Sequence, residues 1–187
     1  MNVVLIGLRG TGKSTVGRIL SERLRWPFFD SDAAVQERAG MTIHELFTQK
    51  GEGEFRRLES EVIKEYAAKD FCIIATGGGA ILDESNVAAL RKTGFVVHLS
   101  ANPTELWRRI SLDAVSAHTR PALLKDAASG IDELEKILLA RAFNYAQARH
   151  SEVLVDTRTP VEVAEAILIL MKAHGIAKRP SSKTKRS

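Results

Sequence analysis

The chain has 187 residues, 44% of them apolar and 27% charged, a length and balance that suit one soluble globular domain with a sizeable core. No apolar run approaches the length of a membrane span, the lone cysteine (Cys72) excludes an intrachain disulfide, and no signal peptide is expected of a chain that opens on a strand pattern. A cytoplasmic location without membrane contact is therefore expected, while the net charge of +4 raises nucleic acid as a partner until the charge is located along the chain.

The first element is the apolar run Val3, Val4, Leu5 and Ile6, read as a strand. It leads into Gly7-Leu8-Arg9-Gly10-Thr11-Gly12-Lys13-Ser14, which matches the phosphate-loop pattern G-x-x-x-x-G-K-[ST]. A helix pattern over Lys13–Leu24 follows, with Val16, Ile19, Leu20 and Leu24 on one face. Strand, glycine loop and helix N-terminus together make an anion cradle. The glycines let backbone N–H groups turn toward phosphate oxygens. Lys13 can reach the β- and γ-phosphates, and the Ser14 hydroxyl can ligate Mg²⁺.

A second apolar run, Pro27–Phe29, ends in Asp30-Ser31-Asp32. In a parallel sheet this position points toward the phosphate loop. One carboxylate could hold Mg²⁺ through water, and the other could accept the proton of an attacking hydroxyl. Aspartate here is also a favoured helix cap, and a helix is expected over Asp32–Ala39. Two more helices are expected, over Thr42–Lys50 and Gly53–Ala68, the second carrying Arg56 beside Phe55, Leu58 and Val62. The third strand, Phe71–Ala75, holds Cys72 as a small buried hydrophobe and runs into Gly77-Gly78-Gly79. Three glycines in a row are costly to order, and the gain expected is close backbone approach to a ligand.

Helix Glu84–Lys92, strand Phe95–Leu99 and helix Pro103–Ile110 come next. Ser111–Gly130 then breaks the alternation with Pro121, small residues and a weak apolar period. In a phosphoryl-transfer enzyme such a segment is a lid, here about 111–130 and carrying Arg120. Helix Ile131–Arg149 carries Arg141 and Tyr145. Strand Glu152–Val155 precedes a helix over Pro160–His174, opened by Thr159-Pro160 and Glu162. Guanidinium groups bind carboxylates and phosphates through paired hydrogen bonds, but periodicity does not tell whether Arg56, Arg120 and Arg141 converge. Each alone reads as a solvated or ion-paired arginine. The five histidines (His44, His98, His118, His150, His174) lack metal-ligand spacing, and Trp26 and Trp107 read as packing residues.

The stretch from Ile176 to Ser187 holds five cations and no acid, and removing those five from a net charge of +4 leaves −1 for the body. The basicity thus belongs to a tail over 176–187, expected to be disordered. Without a basic body or interleaved aromatics, nucleic acid is disfavoured as a partner. The rest, 1–175, reads as a single domain. Five apolar runs alternating with helices predict a three-layer α/β/α fold around a five-stranded parallel sheet, with ligands beyond the carboxyl ends of the strands.

Taken in order, G-L-R-G-T-G-K-S-T at 7–15, F-F-D-S-D at 28–32, G-E-x-E-F-R-x-x-E at 51–59, T-G-G-G at 76–79, T-R-P-x-L-L at 119–124, R-x-x-x-Y at 141–145 and V-D-T-x-T-P at 155–160 resemble the shikimate kinases. These are small P-loop enzymes with a fold like the nucleoside-monophosphate kinases, and the resemblance runs from Asn2 to about Ala173. It implies phosphorylation of shikimate at its 3-hydroxyl by Mg²⁺-ATP, by a monomer, in aromatic amino acid biosynthesis. It further implies that Gly10, Thr11, Gly12, Lys13, Ser14 and Thr15 wrap the ATP phosphates, with Ser14 and Asp30 toward the metal. Asp32 would hold ring hydroxyls and act as base. Arg56 and Arg141 would clamp the substrate carboxylate, with Gly78 and Gly79 offering backbone contacts. Arg120 would reach the phosphates from the lid, and Arg109 and Arg158 would line the adenine. The lid departs from the family pattern: it is longer, poor in glycine, and reads R-P-A-L-L where R-P-L-L is usual. Two other readings fit the same scaffold, a kinase of another small hydroxy acid such as gluconate and a non-catalytic ligand-sensing domain.

Overall fold

The computed structural model describes residues 1–112 and 130–176. Five parallel strands form one sheet: β1 (Asn2–Ile6), β2 (Phe28–Asp30), β3 (Ile73–Ala75), β4 (Gly94–Ser100) and β5 (Ser151–Leu154), in the order β2-β3-β1-β4-β5. Between them run α1 (Lys13–Leu24), α2 (Ser31–Ala39), α3 (Ile43–Ala67), α4 (Glu84–Thr93), α5 (Pro103–Leu112), α6 (Gly130–Ala148) and α7 (Pro160–Ala173).

The period of two along β1 divides the core. Val3 and Leu5 face a cluster with Val16 and Leu20 of α1, Leu106 of α5, and Val163, Ala164 and Ile167 of α7. Val4 and Ile6 face the other side, against Ile63 and Ala67 of α3 and Leu90 of α4. Being apolar on both faces, the central strands lie between helix layers, as a parallel sheet requires. Helix α6 serves both layers: Leu134 and Ile137 pack in the first cluster, Tyr145 and Ala148 in the second. A satellite cluster of Val35, Ile43, Leu46, Phe55 and Val62 joins α2 to α3.

Helix starts follow the sequence cues. Thr42 and Glu45 form a capping box at α3, and Thr159 and Glu162 form another at α7, where Pro160 occupies the first turn. The two helices expected over 42–50 and 53–68 are the two arms of α3, parted at Gly51, whose φ of 82° and ψ of 167° are not helical. The third strand begins later than the expected Phe71, because Phe71 itself has a φ of 54° and turns the chain before β3. A single 3₁₀ turn, Ala80–Leu82, follows the glycine triplet and was not legible in the pattern. Cys72 and Trp26 are buried as expected, but Trp107 is 40% exposed. Its ring lies over Gly130, where a Cβ would sit 2.0 Å from it. The lid with Arg120 lies outside the described residues apart from its ends, as does the tail beyond Ile176. No helix among the described residues is long and apolar enough to cross a membrane.

Candidate active site

Strand β1 ends at Ile6, and the chain turns at Gly7, Gly10 and Gly12, with φ of 145°, 85° and 83°. Gly7 has a second constraint: a Cβ there would lie 2.4 Å from the Leu99 carbonyl oxygen of β4. Gly12 caps α1, so the first N–H groups of the helix face the loop. Lys13 lies across the loop and donates through Nζ to the carbonyls of Gly7 (2.7 Å) and Leu8 (2.9 Å). Ser14 Oγ donates to Asp30 Oδ2 at 2.6 Å, joining α1 to the end of β2. The other Asp30 oxygen accepts from the Asp32 and Ala33 backbone N–H groups, so Asp30 also caps α2. The cap reading and the site reading of this acid are thus both satisfied by one side chain.

One cleft, about 350 Å³, opens between the loop with the start of α1, α5, and the segment from Val155 into α7. It is lined by Gly10, Thr11, Gly12, Thr15, Arg109 and Arg158, among others. Arg109 is fixed from two sides, donating to Glu105 Oε1 (2.7 Å) and to the Val155 carbonyl (2.8 Å). Arg108 and Arg109 together hold the Glu105 carboxyl down to about 2. The loop carrying Arg158 is pinned to the start of α5, because Asp156 accepts from the Asn102 backbone and side-chain amides, each at 2.9 Å.

A second cleft, about 110 Å³, lies on the other side of the phosphate loop. It gathers Asp32, Arg56, Gly78, Gly79 and Arg141 from four separate segments. Sequence reasoning could not place these groups together; the sheet order does, because β2 and β3 are neighbours and both end here. Arg9, Glu59, Phe47 and Phe55 line the same cleft and carry no site role in the sequence reading. Glu59 was the readable omission. It stands three residues after Arg56 on one helix, where side chains meet, and accepts from Arg56 Nη1 at 2.8 Å. Arg56 also donates to Glu52 Oε1 through Nε and Nη2. Burial pushes the Glu59 carboxyl above its ordinary value, and Arg56 works against that push.

The glycine triplet has distinct reasons at two positions. A Cβ on Gly77 would meet Asp32 Oδ1 at 2.5 Å and Glu59 Oε1 at 2.7 Å; one on Gly79 would meet Arg56 Nη1 at 2.6 Å. The Gly77 N–H donates to the buried Ser31 hydroxyl at 2.9 Å, which ties the triplet to α2. Arg141 Nη1 and the Tyr145 hydroxyl both donate to the Gly78 carbonyl, at 3.1 and 2.9 Å.

The arrangement joins an anion-binding loop to a polar cleft where the carboxylates of Asp32 and Glu59 meet the guanidinium groups of Arg9, Arg56 and Arg141. Ser14 and Asp30 are hard oxygen donors and suit Mg²⁺. No group of three or more His, Cys, Asp or Glu that could hold a metal occurs among the described residues.

Comparison of the chain with known proteins gives its family. The family model described as Shikimate kinase matches residues 9–172. The chain is 42% identical over 175 residues to the shikimate kinase of Symbiobacterium thermophilum, covering 94% of this chain and 98% of that relative. It is 40% identical over 156 residues to the shikimate kinase of Geobacter metallireducens, covering 83% and 82%. Among solved structures, shikimate kinase from Acinetobacter baumannii in complex with shikimate aligns with a TM-score of 0.85 and 31% identity, over 94% of this chain and 95% of that one.

Proposed function

This chain belongs to the shikimate kinase family, and we propose that it phosphorylates shikimate in the smaller cleft with ATP bound across the phosphate loop. The reaction moves the terminal phosphoryl group of ATP to the 3-hydroxyl of shikimate, a step of aromatic amino acid biosynthesis. The observation that carries the residue assignment is the meeting of Asp32, Arg56 and Arg141 in one cleft beside the loop.

Lys13, Gly10, Thr11, Gly12, Ser14 and Thr15 bind the phosphates, and Arg109 and Arg158 flank the adenine in the larger cleft. Ser14 and Asp30 would hold Mg²⁺, which would supply charge neutralisation on the phosphates. Asp32 accepts the hydroxyl proton, since phosphoryl transfer requires little more than placement, charge neutralisation and a base. Arg56 and Arg141 bind the acceptor carboxylate, and Gly78 and Gly79 bring backbone to the ring. Arg120 lies outside the described residues and is assigned to the phosphates on the family resemblance. We place residues 1–175 in one kinase domain that works as a cytoplasmic monomer, with the basic 176–187 tail outside it.

A coupled ADP-release assay with Mg²⁺-ATP tests the reading, comparing shikimate, quinate, gluconate and no acceptor. Turnover with shikimate alone is expected. Turnover with gluconate instead would move the assignment to another hydroxy-acid kinase, and shikimate binding without turnover would make the domain a sensor.

A further inference from the structure

The Gly78 carbonyl is the only acceptor in the triplet with two side-chain donors among the described residues, Tyr145 Oη and Arg141 Nη1. Tyr145 is 2% exposed. Its ring lies flat on His98 of β4, with centroids 4.3 Å apart and planes 7° from parallel. The edge of the His98 ring faces β5, with Nδ1 3.5 Å from Glu152 Oε1, and its face carries the stack with Tyr145. Burial pushes the Tyr145 phenol up to about 12, which keeps the hydroxyl a donor at working pH.

A trans peptide is planar, and its carbonyl and N–H point to opposite edges of one rigid plate; no peptide here is cis. Holding the Gly78 oxygen therefore fixes the direction of the Gly79 N–H. Without such a hold, successive glycines have the widest backbone freedom of any residues. The same carbonyl also takes one N–H of Arg141, so amide and guanidinium are registered to each other.

We propose that Tyr145 is a positioning residue for the acceptor: its hydroxyl clamps the Gly78–Gly79 peptide and so aims the Gly79 N–H, while the His98 ring sets the level of the tyrosine over the sheet. This rests on shikimate being the acceptor of that cleft. Tyr145 does not touch the reacting atoms; it acts through the backbone and through Arg141.

Steady-state kinetics of the full chain with Mg²⁺-ATP test the proposal. Tyr145→Phe keeps the ring and removes one net hydrogen bond, so the shikimate KM should rise about three- to tenfold. The kcat should stay within about twofold, and the ATP KM should not move. His98→Ala should raise the shikimate KM in the same direction, and His98→Phe, which restores a flat ring, should recover most of it. Failure of the wild-type chain to phosphorylate shikimate would remove the underlying acceptor assignment. With wild-type turnover intact, an unchanged shikimate KM in Tyr145→Phe overturns the positioning role. Equal losses for shikimate and ATP also overturn it, reducing the tyrosine to a packing residue. Should Tyr145→Phe not fold, the His98 pair decides: no difference between alanine and phenylalanine in shikimate KM overturns the proposal.

Discussion

Asp32 enters the acceptor cleft from the first turn of α2, and Arg141 enters it from the middle of α6. They make different demands of the reaction. A base acts only as the hydroxyl attacks, so Asp32→Asn should lower kcat by about 10²- to 10⁴-fold while ATP affinity, measured by titration calorimetry, stays near wild type. A kcat within tenfold of wild type would reject the base assignment. Arg141→Ala instead removes charge-assisted binding, about 1.5–3 kcal/mol, so the shikimate KM should rise on the order of ten- to a hundredfold; a defect confined to ATP would contradict the carboxylate clamp. The limits of reading residues from sequence are visible in this pair. Asp32 stands two residues from Asp30 at a strand end, a local pattern that flags chemistry. Arg141 is 63 residues from the Gly78 carbonyl it touches, and no periodicity along α6 encodes that meeting. Glu59 lay between these cases: its spacing from Arg56 was local, yet its partner was an arginine with no assigned place until the helix was packed.

Loops and helix ends carry most of what was legible at the scale of the element. The phosphate loop, the helix start at Thr159-Pro160 with Glu162 and the glycine triplet announce themselves because each has a backbone requirement that few residue types satisfy. The 3₁₀ turn at Ala80–Leu82 and the left-handed Phe71 were not legible, since tertiary packing rather than residue type imposes them. Two glycines separate these kinds of requirement by experiment. Gly7 combines a φ of 145° with a Cβ position 2.4 Å from a backbone oxygen, and neither can relax without moving the sheet. Gly7→Ala should therefore lower stability by about 3 kcal/mol or more, a Tm drop of roughly 6–12 °C for a chain of this size. Gly79→Ala collides with the far end of the Arg56 side chain, which can swing aside. It should leave Tm within a few degrees and raise the shikimate KM about tenfold. A Gly79→Ala variant that unfolds while its Gly7→Ala counterpart does not would reverse this division.

The order β2-β3-β1-β4-β5 governs the whole molecule: it sets the acceptor cleft over the ends of β2 and β3 and leaves the larger cleft on the side of β5. The α/β class and five strands followed from alternation alone, while the convergence of arginines followed only from the strand order. The same order buries His98 in the middle of the sheet, beside Tyr145, with Glu152 and Arg149 toward it from the β5 side and Lys13 from the loop. Burial pushes its pKa from 6.5 down to about 4, with Glu152 opposing and Arg149 and Lys13 reinforcing the fall. The unfolded chain therefore takes up this proton near pH 6.5 and the folded chain only near 4. Between those values the unfolded state binds more protons, so stability is full above about 6.5 and is lost progressively as pH falls to about 4. The loss is on the order of 2–3 kcal/mol. Glu59 acts with the opposite sign, because its carboxyl is raised in the fold: its contribution is present at low pH and is lost as pH rises through its folded value. A single wild-type curve thus mixes the two groups. Urea unfolding of wild type and His98→Phe between pH 4 and 7.5 separates them, since the stacked ring is kept and only the titration is removed. The wild-type minus variant difference should become less favourable to wild type as pH drops from 6.5 to 4. A difference that stays flat across that interval would mean that His98 takes its proton in the folded chain as readily as in the unfolded one.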